Sequence, residues 1–258
     1  MADEPILELR NINKSFGPVD VLKDVQFAAR PGEVTALVGD NGAGKSTLVK
    51  CISGTYSIDS GEYLFEGKPV TIHAPRDSAA LGIEIVYQDL ALCDNLDIVQ
   101  NMFLGRERRR GIVLDENSME RAANETLGSL SVRTVTSVRQ RVSSLSGGQR
   151  QTVAIAKAVL WNSKVVVLDE PTAALGVAQT AQVLDLIRRL ADRGLAVVLI
   201  SHNMTDVLQV ASRIAVLYLG RLAAEVKRED VNQQQLVELI TTGSRSDQAA
   251  GETNGVPA

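Results

Sequence analysis

The chain has 258 residues, of which 45% are hydrophobic and 22% are charged, and its formal net charge is −4 at pH 7. This length and apolar content suit one large domain, and the negative charge excludes the overall basic field that attracts nucleic acid. No segment approaches the roughly 20 consecutive apolar residues that a membrane-spanning helix needs.

The first residues and the cysteines both bear on the cellular compartment. The opening MADEPILELR is acidic and lacks a basic stretch followed by an apolar one, so we expect no secretory leader. Cys51 and Cys93 have no metal-binding spacing and fit free thiols in a reducing compartment. We therefore expect the chain to stay in the cytoplasm.

Short apolar runs that alternate with helical patterns predict an α/β core. Residues 214–219 and 222–226 predict a hairpin, and residues 231–240 a short helix. The runs that predict single strands are residues 6–9, 34–38, 63–65, 83–86, 165–168 and 196–200.

A glycine-rich segment follows the second of these runs and precedes a helical pattern. It fits G-x-x-x-x-G-K-[ST], in which backbone N–H groups and the positive end of a helix dipole face a polyphosphate. Lys45 can then reach the β and γ phosphates, and the Ser46 hydroxyl can ligate Mg²⁺. The predicted phosphate loop comprises Gly39, Asp40, Asn41, Gly42, Ala43, Gly44, Lys45, Ser46 and Thr47.

A second small-residue segment, LSGGQ at residues 145–149, stands directly before another helical pattern. By itself it is compatible with an ordinary loop in which Ser146 caps a helix.

The run at residues 165–168 ends in Asp169 and Glu170. Such a pair is often only the point where a strand meets solvent. Downstream of a phosphate loop, the pair instead predicts a site for ATP hydrolysis. Asp169 could hold Mg²⁺ opposite Ser46, and Glu170 could activate a water for attack on the γ-phosphate.

Together, the phosphate loop, the LSGGQ segment and the acidic strand end resemble those of the ATP-binding cassette (ABC) ATPases, over most of the chain. The resemblance implies an α/β fold of the P-loop NTPase type, with a mixed sheet core and an inserted helical subdomain at about residues 92–150. It places the ABC domain at residues 6–243. Residues 244–258 are polar and predict a disordered tail.

Three single residues take roles only through this resemblance. Gln88 resembles the glutamine that touches Mg²⁺ or the attacking water, His202 the histidine that hydrogen-bonds the γ-phosphate, and Phe16 the aromatic ring that stacks on adenine. Without the family, the histidine could equally be a structural cap, and Phe16 could be a plug in the core.

The resemblance also makes LSGGQ a second phosphate clamp. A serine hydroxyl and two glycine N–H groups at a helix start can close on a γ-phosphate from its far side. Its residues are Ser146, Gly147, Gly148 and Gln149.

One segment departs from the family pattern. Where members commonly read SALD after the Pro-Thr pair, this chain reads AALG, with Gly176 in place of the aspartate. In the family this loop couples two ATP sites, so the departure bears on coupling and not on Lys45, Asp169, Glu170 or His202.

In the family, the phosphate loop and LSGGQ of one chain face apart, which implies a homodimer with ATP between two copies. The segments GDNGAGKST, VYQDLALCDNLDIVQNMFLGRE and EPTAALGV resemble those of the ATPase subunits of bacterial monosaccharide (fructose, ribose or xylose-type) importers, among them the fructose-type single-cassette members. The implied partners are integral membrane permease subunits and, indirectly, an extracytoplasmic sugar-binding protein. The implied location is the cytoplasmic face of the cell membrane.

Two other functions use the same nucleotide residues. One is a non-transport ABC ATPase that assembles iron–sulfur clusters or remodels a complex. The other is a nucleotide-sensing module without hydrolysis, which Glu170 and His202 disfavour because a sensor needs no water-activating groups.

Overall fold

A computed structural model describes residues 4–132 and 134–244 of the chain. The predicted tail therefore lies, from residue 245 onward, outside the described residues. The strands are β1 (Leu7–Phe16), β2 (Val19–Ala29), β3 (Val34–Val38), β4 (Ser60–Phe65), β5 (Lys68–Val70), β6 (Ile83–Val86), β7 (Arg109–Arg110), β8 (Val113–Leu114), β9 (Val165–Asp169), β10 (Ala196–Ile200), β11 (Arg213–Tyr218) and β12 (Arg221–Lys227). The helices are α1 (Lys45–Ile52), α2 (Pro75–Ala80), α3 (Ile98–Phe103), α4 (Glu116–Ser129), α5 (Gly147–Val159), α6 (Val177–Asp192), α7 (Met204–Val210) and α8 (Gln233–Thr242).

A six-stranded sheet forms the centre, in the order β12-β11-β3-β10-β9-β6. Its strands from β11 to β6 pair in parallel, while β12 pairs antiparallel with β11. Every residue of β3 and β10 is buried, which is why these segments are continuous apolar runs instead of alternating ones. The predicted α/β fold with a mixed sheet is confirmed.

A second sheet of four antiparallel strands, in the order β2-β1-β4-β5, covers one side of this core. Leu9 and Phe27 from this sheet share an apolar cluster with Leu48 of α1. Strand β1 extends well past the predicted residues 6–9. Its register against β2 shifts several times, and Asn11 has a positive φ of 50°, so the alternation of apolar and polar residues is broken there.

Helices α3 and α4, the short β7–β8 hairpin and the start of α5 make up the segment predicted as a helical subdomain. Phe103, Leu127 and Val142 are buried in one cluster there. Helix α5 continues without a break to Val159 beneath the central sheet, and the boundary near residue 150 stays a prediction. Among the residues that the structure describes, no helix is both long and apolar enough to cross a bilayer.

Candidate nucleotide site

The predicted phosphate loop joins the end of β3 to the first residue of α1. Gly44 is the last residue before the helix and has a φ of 106°, with a Cβ at this position falling 2.9 Å from Leu22 Cδ2. Only glycine meets both conditions without strain. The sharp turn aims the first turn of α1, beginning at Lys45 and Ser46, at the space above the sheet.

The Lys45 side chain folds back over the loop. Its Nζ donates to the carbonyl oxygens of Gly39 over 2.7 Å and of Asp40 over 3.0 Å. Burial lowers the pKa of Lys45, and the nearby carboxylates of Glu170, Asp40 and Asp169 oppose that shift. The ammonium therefore lies in a partly desolvated place surrounded by negative charge.

Asp169 ends strand β9 and is half-buried. Burial raises the pKa of its carboxyl group, the charge of Glu170 raises it further, and Lys45 acts in the opposite direction. A partly buried carboxylate with a neighbouring negative charge is stabilised by any cation that binds next to it. The arrangement suits a divalent metal bound between Asp169 and the loop.

Glu170 contacts His202 although each follows a different strand. Glu170 Oε2 lies 2.9 Å from His202 Nδ1, with the carboxylate side chain 14% exposed and the imidazole 75% exposed. The Glu170 amide donates to the Ile200 carbonyl over 2.9 Å, and Glu170 has a φ of 49°. A left-handed backbone at a non-glycine residue is held by its surroundings, and such conformations cluster at functional sites.

These groups meet in one cavity of about 540 Å³, within the usual size range of ligand pockets. Oxygen donors suited to Mg²⁺, from Ser46, Gln88 and Asp169, line the same space, so the residues fit that metal. Two lining residues, Val21 and Ile200, were not predicted, because a strand side chain gives no sequence signal of ligand contact. The lining is Val21, Asn41, Gly42, Gly44, Lys45, Ser46, Thr47, Gln88, Asp169, Glu170, Ile200 and His202.

The remaining loop residues lie beside this cavity. Gly39 and Asp40 line a neighbouring one of about 410 Å³, next to Met204. Ala43 is buried in the apolar cluster that contains Leu48. Its side chain therefore packs against the core, and only its backbone is left to face a ligand.

Phe16 ends β1 and does not line the cavity, in the part of the chain that the structure describes. The residue is 43% exposed. Its ring lies edge-on to Tyr56 at 5.1 Å between centroids, with Lys14 Nζ 5.4 Å from the ring centre. An aromatic residue with this exposure keeps ring surface on which a planar base could stack. Adenine stacking on Phe16 stays a prediction.

The LSGGQ segment begins helix α5. Ser146 is its N-cap: the Gln149 amide donates to Ser146 Oγ over 3.4 Å, and the Ser146 amide donates to Gln149 Oε1 over 2.9 Å. A Cβ at Gly148 would lie 3.0 Å from Gln179 Cβ, and one at Gly147 would lie 3.3 Å from Leu175 Cδ2. The segment thus packs against the loop that carries Gly176, and not against the cavity of its own chain.

Residues 22–173, more than half of the chain, match a family model described as ABC transporter. The chain belongs to this family. It is 47% identical to a fructose import ATP-binding protein of Rhizobium meliloti, over 93% of this chain and 95% of that protein. It is 45% identical to a xylose/arabinose import ATP-binding protein of Sulfolobus acidocaldarius, over 92% of this chain and 94% of that protein.

Solved structures agree with the fold. An ATP-binding cassette of an ABC transporter superposes with a TM-score of 0.81 at 26% identity, covering 93% of this chain and 98% of that one. A dimeric cassette in a post-hydrolysis state, bound to ADP and Pi, gives 0.72 at 25% identity, covering 86% and 98%. The cassette fold is therefore that of the ABC ATPases.

Proposed function

We propose that this chain is the ATP-hydrolysing subunit of an importer for a monosaccharide. The observation that carries the proposal is the cavity where the phosphate loop, Asp169, Glu170 and His202 meet. The similarity to import ATP-binding proteins for fructose and for xylose/arabinose supports a monosaccharide as the cargo.

Nucleotide binding follows from the loop. Its backbone N–H groups and the start of α1 face the triphosphate, and Lys45 turns from the Gly39 and Asp40 carbonyls toward the β and γ phosphates. Ser46, Gln88 and Asp169 would hold Mg²⁺. When bound, this ion neutralises the negative charge that the phosphate oxygens carry.

Hydrolysis is assigned to the Glu170–His202 pair. Glu170 accepts a proton from the attacking water, and its contact with His202 fixes the direction in which the carboxylate points. His202 lies at the exposed mouth of the cavity, where it can donate to the γ-phosphate. Gln88, which lines the same cavity, would contact this water or Mg²⁺.

The complete site needs a second copy of the chain. Ser146, Gly147, Gly148 and Gln149 lie outside the cavity that contains Lys45 of their own chain, so a symmetric pair would bring the segment of one copy over the phosphate loop of the other. The similarity to a dimeric cassette bound to ADP and Pi supports the formation of a dimer. ATP then holds the dimer closed through charge-assisted contacts that are lost after hydrolysis.

The remaining partners belong to the membrane. We assign the chain to the cytoplasmic face, docked on permease subunits that receive sugar from an extracytoplasmic binding protein. The region of residues 88–107 would contact the permease. The choice of sugar would then reside in the permease and the binding protein, because the residues assigned above all serve the nucleotide.

A deletion strain tests the proposal. We expect loss of ATP-dependent uptake of one monosaccharide from a panel, with uptake restored by the natural chain and not by Glu170→Gln. The natural chain should also co-purify with integral membrane proteins. Unchanged uptake of every sugar, together with a membrane-free complex, would instead favour the non-transport ABC ATPase.

A further inference from the structure

A buried carboxylate lies behind the Glu170–His202 pair. Asp206, in the first turn of α7, is only 6% exposed. Its Oδ2 accepts a hydrogen bond of 2.7 Å from Thr172 Oγ1. Burying a charged group is costly unless it is hydrogen-bonded, so this contact has a strong energetic reason to persist.

Thr172 stands two residues after Glu170, in the turn that sets the Glu170 backbone. The Ala173 amide donates to the Glu170 carbonyl over 3.1 Å, and Glu170 itself has a φ of 49°. A residue held in this region persists only where its surroundings fix it. The Thr172 hydroxyl provides such a fixed point on the C-terminal side of Glu170.

Asp206 is equally well fixed relative to His202. Asn203, the residue after His202, caps α7: its Oδ1 accepts from the Thr205 amide over 3.0 Å and from the Asp206 amide over 3.4 Å. The Asn203 amide donates in turn to Ser201 Oγ over 3.0 Å. The loop that carries His202 and the first turn of α7 therefore form one hydrogen-bonded unit.

We propose that Thr172 and Asp206 are positioning residues that set the distance between Glu170 and His202. The backbone hydrogen bond from the Glu170 amide to the Ile200 carbonyl holds this pair on one side. The side-chain hydrogen bond from Thr172 to Asp206 holds it on the other. The kinetic part of this inference rests on the proposed ATP hydrolysis. Neither positioning residue lines the nucleotide cavity, so both act through the pair they support.

Kinetics separate this role from nucleotide binding. Thr172→Val keeps the shape of the side chain and removes its donor, so we expect kcat to fall about tenfold, equivalent to about 1.4 kcal/mol, with the Kd for ATP within about twofold of the natural value. Thr172→Ser restores the donor and should restore kcat. Thr126→Val, which removes a similar bond to the Ala122 carbonyl in α4, is the matched control and should leave kcat unchanged.

A spectroscopic test needs no turnover. The chain has two histidines, His73 and His202, so the two imidazole Cε1–H signals in a proton–carbon NMR spectrum can be assigned with a His73→Gln variant. We expect Thr172→Val and Asp206→Ala to move the His202 signal and to leave the His73 signal in place. Thr172→Ser and Thr126→Val should leave both signals in place.

The double variant Thr172→Val with Asp206→Ala completes the test. If the two residues act only through their shared bond, the double variant loses no more kcat than the worse single one. Two results would overturn the positioning role and leave the proposed function standing. One is an additive loss of kcat in the double variant. The other is a chain that hydrolyses ATP but whose His202 signal does not move in Thr172→Val. A natural chain without ATPase activity, whose His202 signal still moves in Thr172→Val, would overturn the proposed function and support the geometry.

Discussion

Glu170 and His202 meet across the carboxyl ends of two adjacent parallel strands, with 2.9 Å between Oε2 and Nδ1. The contact joins a mostly buried acid to an exposed imidazole, at the edge of the sheet where α/β folds bind their ligands. It makes Glu170 the residue whose loss should separate ATP binding from ATP hydrolysis.

Glu170→Gln should therefore keep ATP binding and lower the hydrolysis rate by roughly 10²- to 10⁴-fold, the range expected for a proton-transfer group. Phosphate release and ATP affinity measured on the same preparation would check this. Glu125→Gln changes an exposed residue of α4 and should behave like the natural chain. Normal turnover in the Glu170 variant would remove Glu170 from its role.

Mixed dimers test the shared site. Lys45→Ala should weaken ATP binding, because the loop loses its cation, and Ser146→Arg should block the clamp. A purified dimer of one Lys45→Ala chain and one Ser146→Arg chain retains one intact composite site. The Ser146→Arg chain supplies the natural Lys45 of this site, and the Lys45→Ala chain supplies the natural Ser146. We expect it to hydrolyse ATP at up to half the natural rate, with both parent dimers nearly inactive. Mixed dimers no faster than either parent would contradict the composite site.

Asp169→Asn should stabilise the nucleotide-free protein near neutral pH. The pKa of Asp169 is raised in the folded chain, so the ionised carboxylate disfavours folding. Stability is therefore lost as pH rises from the pKa of Asp169 in the unfolded chain to its higher pKa in the folded chain. Thermal unfolding should show a higher Tm for the variant at pH 7, with the gain shrinking as pH falls through the ordinary carboxyl range.

The same Asp169 variant should lose most of the Mg²⁺-dependent part of its ATP affinity. Glu125→Gln, at an exposed position in α4, is the control and should show neither effect. A lower Tm for Asp169→Asn at pH 7 would mean that the carboxylate is better satisfied than its burial implies.

Two glycine-to-alanine changes should have opposite signs. A Cβ at Gly148 would lie 3.0 Å from Gln179 Cβ, whereas one at Gly128 in α4 would meet nothing within 4 Å. Gly148→Ala should cost about 1–3 kcal/mol of stability through overpacking, and Gly128→Ala should gain about 0.5–1 kcal/mol through helix propensity. Denaturant unfolding measures both, and a stabilised Gly148→Ala would show that α5 and α6 can separate freely.

The centre of the six-stranded sheet could be predicted because β3 and β10 are buried on both faces. The segments 34–38 and 196–200 coincide with β3 and β10, since each is a continuous apolar run of five residues, as a buried parallel strand requires. The segment 83–86 coincides with the edge strand β6, in which Glu84 interrupts the apolar residues. The family was predicted correctly from the resemblance of the phosphate loop, LSGGQ and the acidic strand end to those of the ABC ATPases, and the family match confirms it.

The outer sheet and the supports of the site could not be predicted in the same way. Strand β2 went unpredicted because Asp24, at a φ of 50°, interrupts its pattern. The bond between Thr172 and Asp206 joins residues far apart in sequence, and an Asp in a first helical turn is ordinary. Contacts of this kind depend on the tertiary arrangement, which a single sequence does not display.

The Ser146 hydroxyl caps α5 by accepting from the Gln149 amide. A hydroxyl has two lone pairs and one proton, so the cap occupies an acceptor site and leaves the proton to be given to an anion. The serine therefore needs no rearrangement of the helix before it can contact phosphate. In the proposed dimer, each copy would therefore bring its LSGGQ segment already ordered, so the entropic cost of ordering this segment would be met during folding and not during association.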